Sequence, residues 1–146
     1  MEKSVILSIR GQQTFEDNSA PEVIELVTEG TLTGHPDGNY TVRYQESELT
    51  GLEGTQTTIQ VAPGSVSILR EGQVNSQMVF EEGRRHLTMY NTPYGAMSIG
   101  VNTRKMKVDL DETGGSIEID YALEVDHAVA GQNLFQIYVR TRNIPQ

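Results

Sequence analysis

With 146 residues and no cysteine, the chain is sized for one domain whose core needs no disulfide staples; thiolate metal sites and thiol nucleophiles are excluded, and a reducing, cytoplasmic compartment is expected. A net charge of -9 argues against sequence-independent binding to nucleic acid or to an anionic membrane, both of which need a cationic surface. The opening MEKSVILSIRG is broken by Ser8 and Arg10 before signal-peptide length, and no run approaches the roughly 18 apolar residues of a membrane helix.

Turn signals at Pro36-Asp37-Gly38-Asn39, Pro63-Gly64, Glu71-Gly72, Glu82-Gly83, Pro93-Tyr94-Gly95 and Gly114-Gly115 cut the chain into short runs rich in Val, Ile, Thr and Tyr. Most runs alternate with a period of two, so each predicts a strand with one face turned inward. The first carries Val5, Leu7 and Ile9 on that face, the second Ile24, Leu26, Thr28 and Leu32, the third Tyr40, Val42 and Tyr44. Then follow Thr57, Ile59 and Val61; Val66, Ile68 and Arg70; Met78 and Phe80; and Leu87 and Met89. The closing sets are Met97, Ile99 and Val101; Met106, Val108 and Leu110; Ile117, Ile119, Tyr121, Leu123 and Val125; and Phe135, Ile137 and Val139. No segment has the pattern of a long amphipathic helix, since the nearest, 17–26, holds Pro21 and runs into β-branched residues. Gly30 and Gly100 fall inside strand patterns, where glycine marks a bulge or a tight corner.

About ten strands on short turns would leave long free edges in one flat sheet. The expected architecture is therefore all-β: a single antiparallel meander β-barrel domain over residues 1–146, with a two-sheet sandwich as the alternative.

One stretch, 40–61, sets chemistry against pattern. The period that turns Tyr40, Val42 and Tyr44 inward carries on to Glu46 and Glu48, so two carboxylates aim where a core should be. Two strands on, Arg70 shares the inward face of Val66 and Ile68, with Thr57 between it and the glutamates if the strands are successive neighbours. A guanidinium fork suits carboxylates, and an unpaired buried charge is costly. The trio reads as a structural network plugging one end of the barrel, as a polar floor orienting a ligand together with tyrosine hydroxyls, or as a catalytic pair. The last follows from spacing alone, because residues two apart on a strand lie roughly 6.5 to 7 Å apart, near glycosidase carboxylate separations. Glu-x-Glu is too common to single out catalysis, and no catalytic residue is assigned.

Elsewhere the signals are bland. Gly51 and Gly54 precede no phosphate-loop lysine and no helix, so nucleotide binding is rejected. His35, His86 and His127 form neither HxH nor HExxH, so no metal or other cofactor is expected; His35 and His127 read as strand-end residues, and His86 as solvated if its face is the outer one. No serine stands in a GxSxG elbow, and 91–95 reads as a rigid turn whose Tyr94 caps one mouth.

ESELTGLEGT over 46–55, Arg70-Glu71-Gly72, Phe80, YNTPYG over 90–95, and Gly114-Gly115 through Tyr121 together resemble the YwiB-like family of uncharacterised bacterial proteins. The resemblance implies a calycin-like, lipocalin-like β-barrel in a bacterial cytoplasm and supplies no catalytic residue, cofactor or substrate. The expectation is non-catalytic binding of a small molecule in or at the mouth of the barrel, by Tyr44, Glu46, Glu48, Arg70 and Tyr121. The alternatives are an enzyme using Glu46 and Glu48, and an interaction module or homodimer around a side-chain-filled barrel.

Overall fold

The structure, a computed structural model, describes residues 2–15, 20–46, 53–72, 75–92 and 95–141. Ten strands follow in order: β1 (Glu2–Phe15), β2 (Glu22–Gly34), β3 (Tyr40–Gln45), β4 (Thr55–Ala62), β5 (Ser65–Gly72), β6 (Ser76–Phe80), β7 (Arg85–Thr92), β8 (Gly95–Asp111), β9 (Gly114–Val125) and β10 (Ala128–Thr141). They form one antiparallel sheet in the order β6-β5-β4-β3-β2-β1-β10-β9-β8-β7, curled into a nearly closed barrel. The all-β meander barrel predicted from the turns and alternation is what forms.

The first and last strands are laced together over Val5↔Thr141 to Phe15↔Gly131. The seam left without a ladder lies instead between β6 and β7, which are consecutive in the chain. The turn joining them folds over β8: Gly83 N donates to Thr103 O at 2.9 Å and Thr103 N to Arg84 O at 3.1 Å. Those bonds tie the start of β7 to β8 and leave β6 paired only to β5.

The predicted inward faces hold for most strands. Val5, Leu7, Leu32, Val42, Ile59 and Phe80 are fully buried, with Val66, Ile117, Ile119 and Ile137 filling the same core. Met97 to Val101 and Met106 to Leu110, read as separate sets, belong to one 17-residue strand, β8. The register slips between Thr103 and Lys105, so inward residues change from odd to even numbers at that bulge. A second slip lies between Val129 and Gly131.

Strand β7 reverses the sequence expectation. Its register pairs His86 with Val101 and Thr88 with Ile99, so those residues face the core. Leu87 and Met89 point outward, 54% and 63% exposed. Gly100 explains part of this, because its missing side chain leaves a dent on the outer face beside which Leu87 Cδ2 lies. His86, on the inner face, stands 3.0 Å from Glu81 Oε1.

Neither Gly30 nor Gly100 is a bulge, since both sit in regular ladder. Gly30 is a close-approach corner: a Cβ there would run into the Arg43 carbonyl and lie 2.8 Å from Leu7 Cδ1. The β9–β10 turn is two residues long, with Asp126 and His127 both at positive φ (50° and 70°), as a type I′ hairpin requires. Asp126 is fixed by Ser98, whose N–H donates to Asp126 Oδ1 at 3.0 Å and whose carbonyl accepts from Asp126 N at 2.8 Å. His35 closes the β2–β3 turn, its Nε2 2.7 Å from Thr41 Oγ1.

Candidate functional site

A row of three residues crosses the sheet at one end of the barrel: Tyr44 on β3 pairs with Thr57 on β4, and Thr57 pairs with Arg70 on β5. Directly opposed residues share a face, so all three point inward. Glu46 lies one step beyond the end of β3, where its N–H still donates to Thr55 O at 2.8 Å. That bond carries the strand's alternation forward and turns the Glu46 side chain in, leaving it 7% exposed. Thr57 Oγ1 donates to Glu46 Oε1 at 2.8 Å, and the Tyr44 hydroxyl is hydrogen-bonded to the same carboxylate. Thr57 thus stands between Arg70 and Glu46, as the strand order anticipates.

Burial is the largest influence on the Tyr44 phenol, and the neighbouring Glu46 charge adds to it; together they push its pKa well above the ordinary tyrosine value despite the opposing Arg70 guanidinium. Tyr121 on β9 is raised by burial as well, with Arg70 again opposing. Both phenols stay protonated at any ordinary pH and are therefore donors. Tyr121 is braced by Phe80, edge to face, with ring centroids 4.9 Å apart.

Several of these side chains line a cavity of about 280 Å³, walled also by the first half of β2, the second half of β1 and the middle of β10. Tyr44, Glu46, Arg70 and Tyr121 are brought together there. Glu48 and Tyr94 lie outside the described residues. Two further residues line the chamber. Asn133 sits opposite Tyr121 on β9 and opposite Gln13 on β1, and its inward side chain joins the cavity wall. Gly11 lines the same wall, and a Cβ built on it would meet nothing within 4 Å. The signal for both was present, because stepping back by two from Phe135 gives Asn133 and stepping on by two from Ile9 gives Gly11 and Gln13.

The chamber is not internally satisfied. Arg70 Nε and Asn133 Nδ2 are both buried and have no hydrogen-bond partner among the described residues. An unmet buried donor costs about 1–3 kcal/mol, more for a charged group. Among the described residues no group of three or more His, Cys, Asp or Glu is placed to hold a metal ion. No helix among them is long and apolar enough to cross a membrane.

This ten-stranded antiparallel barrel belongs to an established family: residues 7–137 match the domain of unknown function DUF1934. Among its relatives is the uncharacterised β-barrel protein YwiB of Bacillus subtilis (strain 168), 27% identical over 125 residues, which is 86% of each chain. The crystal structure of the Bacillus subtilis YwiB protein superposes with a TM-score of 0.83 at 25% identity, covering 97% of this chain and 94% of that one.

Proposed function

We propose that the barrel binds a small molecule, without transforming it, in the chamber walled by Tyr44, Glu46, Arg70 and Tyr121. The observation that carries this reading is the pair of buried donors, Arg70 Nε and Asn133 Nδ2, left without partners among the described residues beside a cavity of about 280 Å³. A ligand supplying acceptors would relieve both costs at once. Glu46 is engaged by Thr57 and Tyr44, which favours a fixed, orienting carboxylate over a general acid or base. The lipocalin-like resemblance supports a ligand cavity by fold analogy. The reading places the chain in a bacterial cytoplasm as one barrel domain, acting on neither nucleic acid nor membrane, with support from its acidity and lack of cysteine.

Native mass spectrometry of protein purified from its source cells tests the proposal. A retained small molecule is expected on the wild type and not on Gly11→Leu, whose side chain would grow into the open chamber. A wild type that carries no extra mass, or a mass equally retained by Gly11→Leu, rejects it.

A second reading has its own observation. β7 is an edge strand that exposes Leu87 and Met89, which suits self-association through that edge. Sedimentation of the wild type as a monomer at all concentrations, unchanged in Leu87→Glu, would dismiss it.

A further inference from the structure

We propose that the chamber is built for a small monocarboxylate with an apolar body, its carboxylate received by Arg70 Nε and Asn133 Nδ2. This rests on the binding reading above and adds the chemical class of the ligand.

The unmet groups are both donors. Asn133 contributes a neutral amide N–H and Arg70 a guanidinium N–H, so the missing partner is an acceptor with at least two lone-pair sites. The two donors belong to one chamber. Asn133 lies opposite Tyr121 in the β9–β10 ladder, and Arg70, Tyr121 and Asn133 line the same cavity.

Two other polar groups of the chamber, Tyr44 and Glu46, are committed to each other. The Tyr44 hydroxyl bonds to Glu46, and Glu46 accepts from Thr57 as well. Thr57 and Tyr44 are two neutral donors to that carboxylate, while the buried Arg70 Nε has no acceptor among the described residues. A carboxylate satisfies the Arg70 and Asn133 donors with a charge-assisted bond, about twice as strong as a neutral one. An ammonium ligand would bring more donors to groups that already lack acceptors. A phosphate would carry a larger charge toward Glu46 and toward Glu22, which also lines the cavity.

Beside the polar groups, Ile9, Leu26 and Phe135 supply apolar wall, and Gly11 leaves room for the body of the ligand. A volume of about 280 Å³ is just below the roughly 300–1,000 Å³ of pockets for drug-sized ligands, so a short acid fits and a long lipid does not.

The test is calorimetric titration of the full chain with octanoate, octanamide and octylamine, which share a chain and differ in the head group. Octanoate is expected to bind, octanamide to bind roughly tenfold more weakly or worse, and octylamine not at all. Arg70→Gln and Asn133→Leu should each weaken octanoate by roughly tenfold. If Arg70→Gln does not fold, as judged by circular dichroism, Asn133→Leu carries the comparison. Gly11→Leu should abolish binding of every compound while melting like the wild type.

Octanamide or octylamine binding as tightly as octanoate would overturn the proposal, as would octanoate binding that ignores both substitutions. If octanamide or octylamine binds as tightly as octanoate and Gly11→Leu removes that binding, the ligand class fails while the pocket stands. If none of the three binds, the proposal is also overturned; native mass spectrometry without a retained molecule then rejects the pocket as well.

Discussion

The two ends of this barrel are built from the same strands, on the same inward faces, and differ in what those faces carry. Toward the start of β1, Val5 and Leu7 meet Leu32, Val42, Ile59 and Val66, and the space is filled with aliphatic side chains. Further along, the same alternation delivers Gly11 and Gln13 from β1, Tyr44 and Glu46 from β3, Arg70 from β5 and Asn133 from β10. Backbone pairing is indifferent to this change, because ladder bonds do not depend on the side chain. The difference therefore lies in volume and polarity: one end closes on itself, and the other keeps space and donors in reserve.

Two glycines make the contrast concrete. Gly30 and Gly11 both occupy inward positions on adjacent strands. At Gly30 an added Cβ runs into the Arg43 carbonyl, whereas at Gly11 it meets nothing within 4 Å. The first glycine lets backbones approach; the second leaves a void for something else to fill.

Truncating the filled end should cost most. Phe80 is fully buried and braces Tyr121, so Phe80→Ala should lower unfolding free energy by about 3–5 kcal/mol, read from the urea midpoint. A loss under about 1 kcal/mol would mean that this end is no better packed than the chamber. Gly30→Ala comes next, with an expected loss of about 1–3 kcal/mol from forcing the backbone apart in the same assay.

A smaller effect, with a definite sign, separates the polar end by pH. The Tyr44 pKa is raised in the folded protein, first by burial and then by Glu46. The unfolded chain therefore gives up this proton at a lower pH than the native one. Its contribution to stability is complete below the ordinary tyrosine pKa, near 10, and is lost progressively as pH rises from there toward the folded value. Tyr44→Phe should flatten the alkaline fall in stability, and phenolate absorbance should show one fewer late-titrating tyrosine. An unchanged alkaline slope would show that Tyr44 is not isolated from solvent.

The smallest effect belongs to Gly11→Ala, expected to be neutral or to stabilise by up to about 1 kcal/mol, because it removes chain entropy and meets no neighbour. Thermal melting distinguishes the cases. If Gly11→Ala destabilises as Gly30→Ala does, the chamber is packed and the comparison collapses.

Much of this was written locally. Tyr44, Glu46 and Arg70 were readable as inward-facing because each strand's period of two needs only neighbouring residues, and the turns were marked by Gly, Pro and Asp. Asn133 and Gly11 follow the same rule but are not legible locally, because a polar or missing side chain does not announce a face by itself. Strand β7 departs from its pattern for the converse reason: Leu87 and Met89 look like core, but the register against β8 turns His86 and Thr88 inward.

What the sequence determined, then, is the set of strands, most of their faces and the intrusion of charge at Glu46 and Arg70. Only the tertiary structure decided that β1 laces to β10 while the seam opens between β6 and β7, that β8 slips parity at Thr103, and that Asn133 and Arg70 line one chamber. The reason is that alternation is a property of one strand, whereas register and closure are settled between strands distant in the chain, where a shift of one residue turns every side chain to the other face.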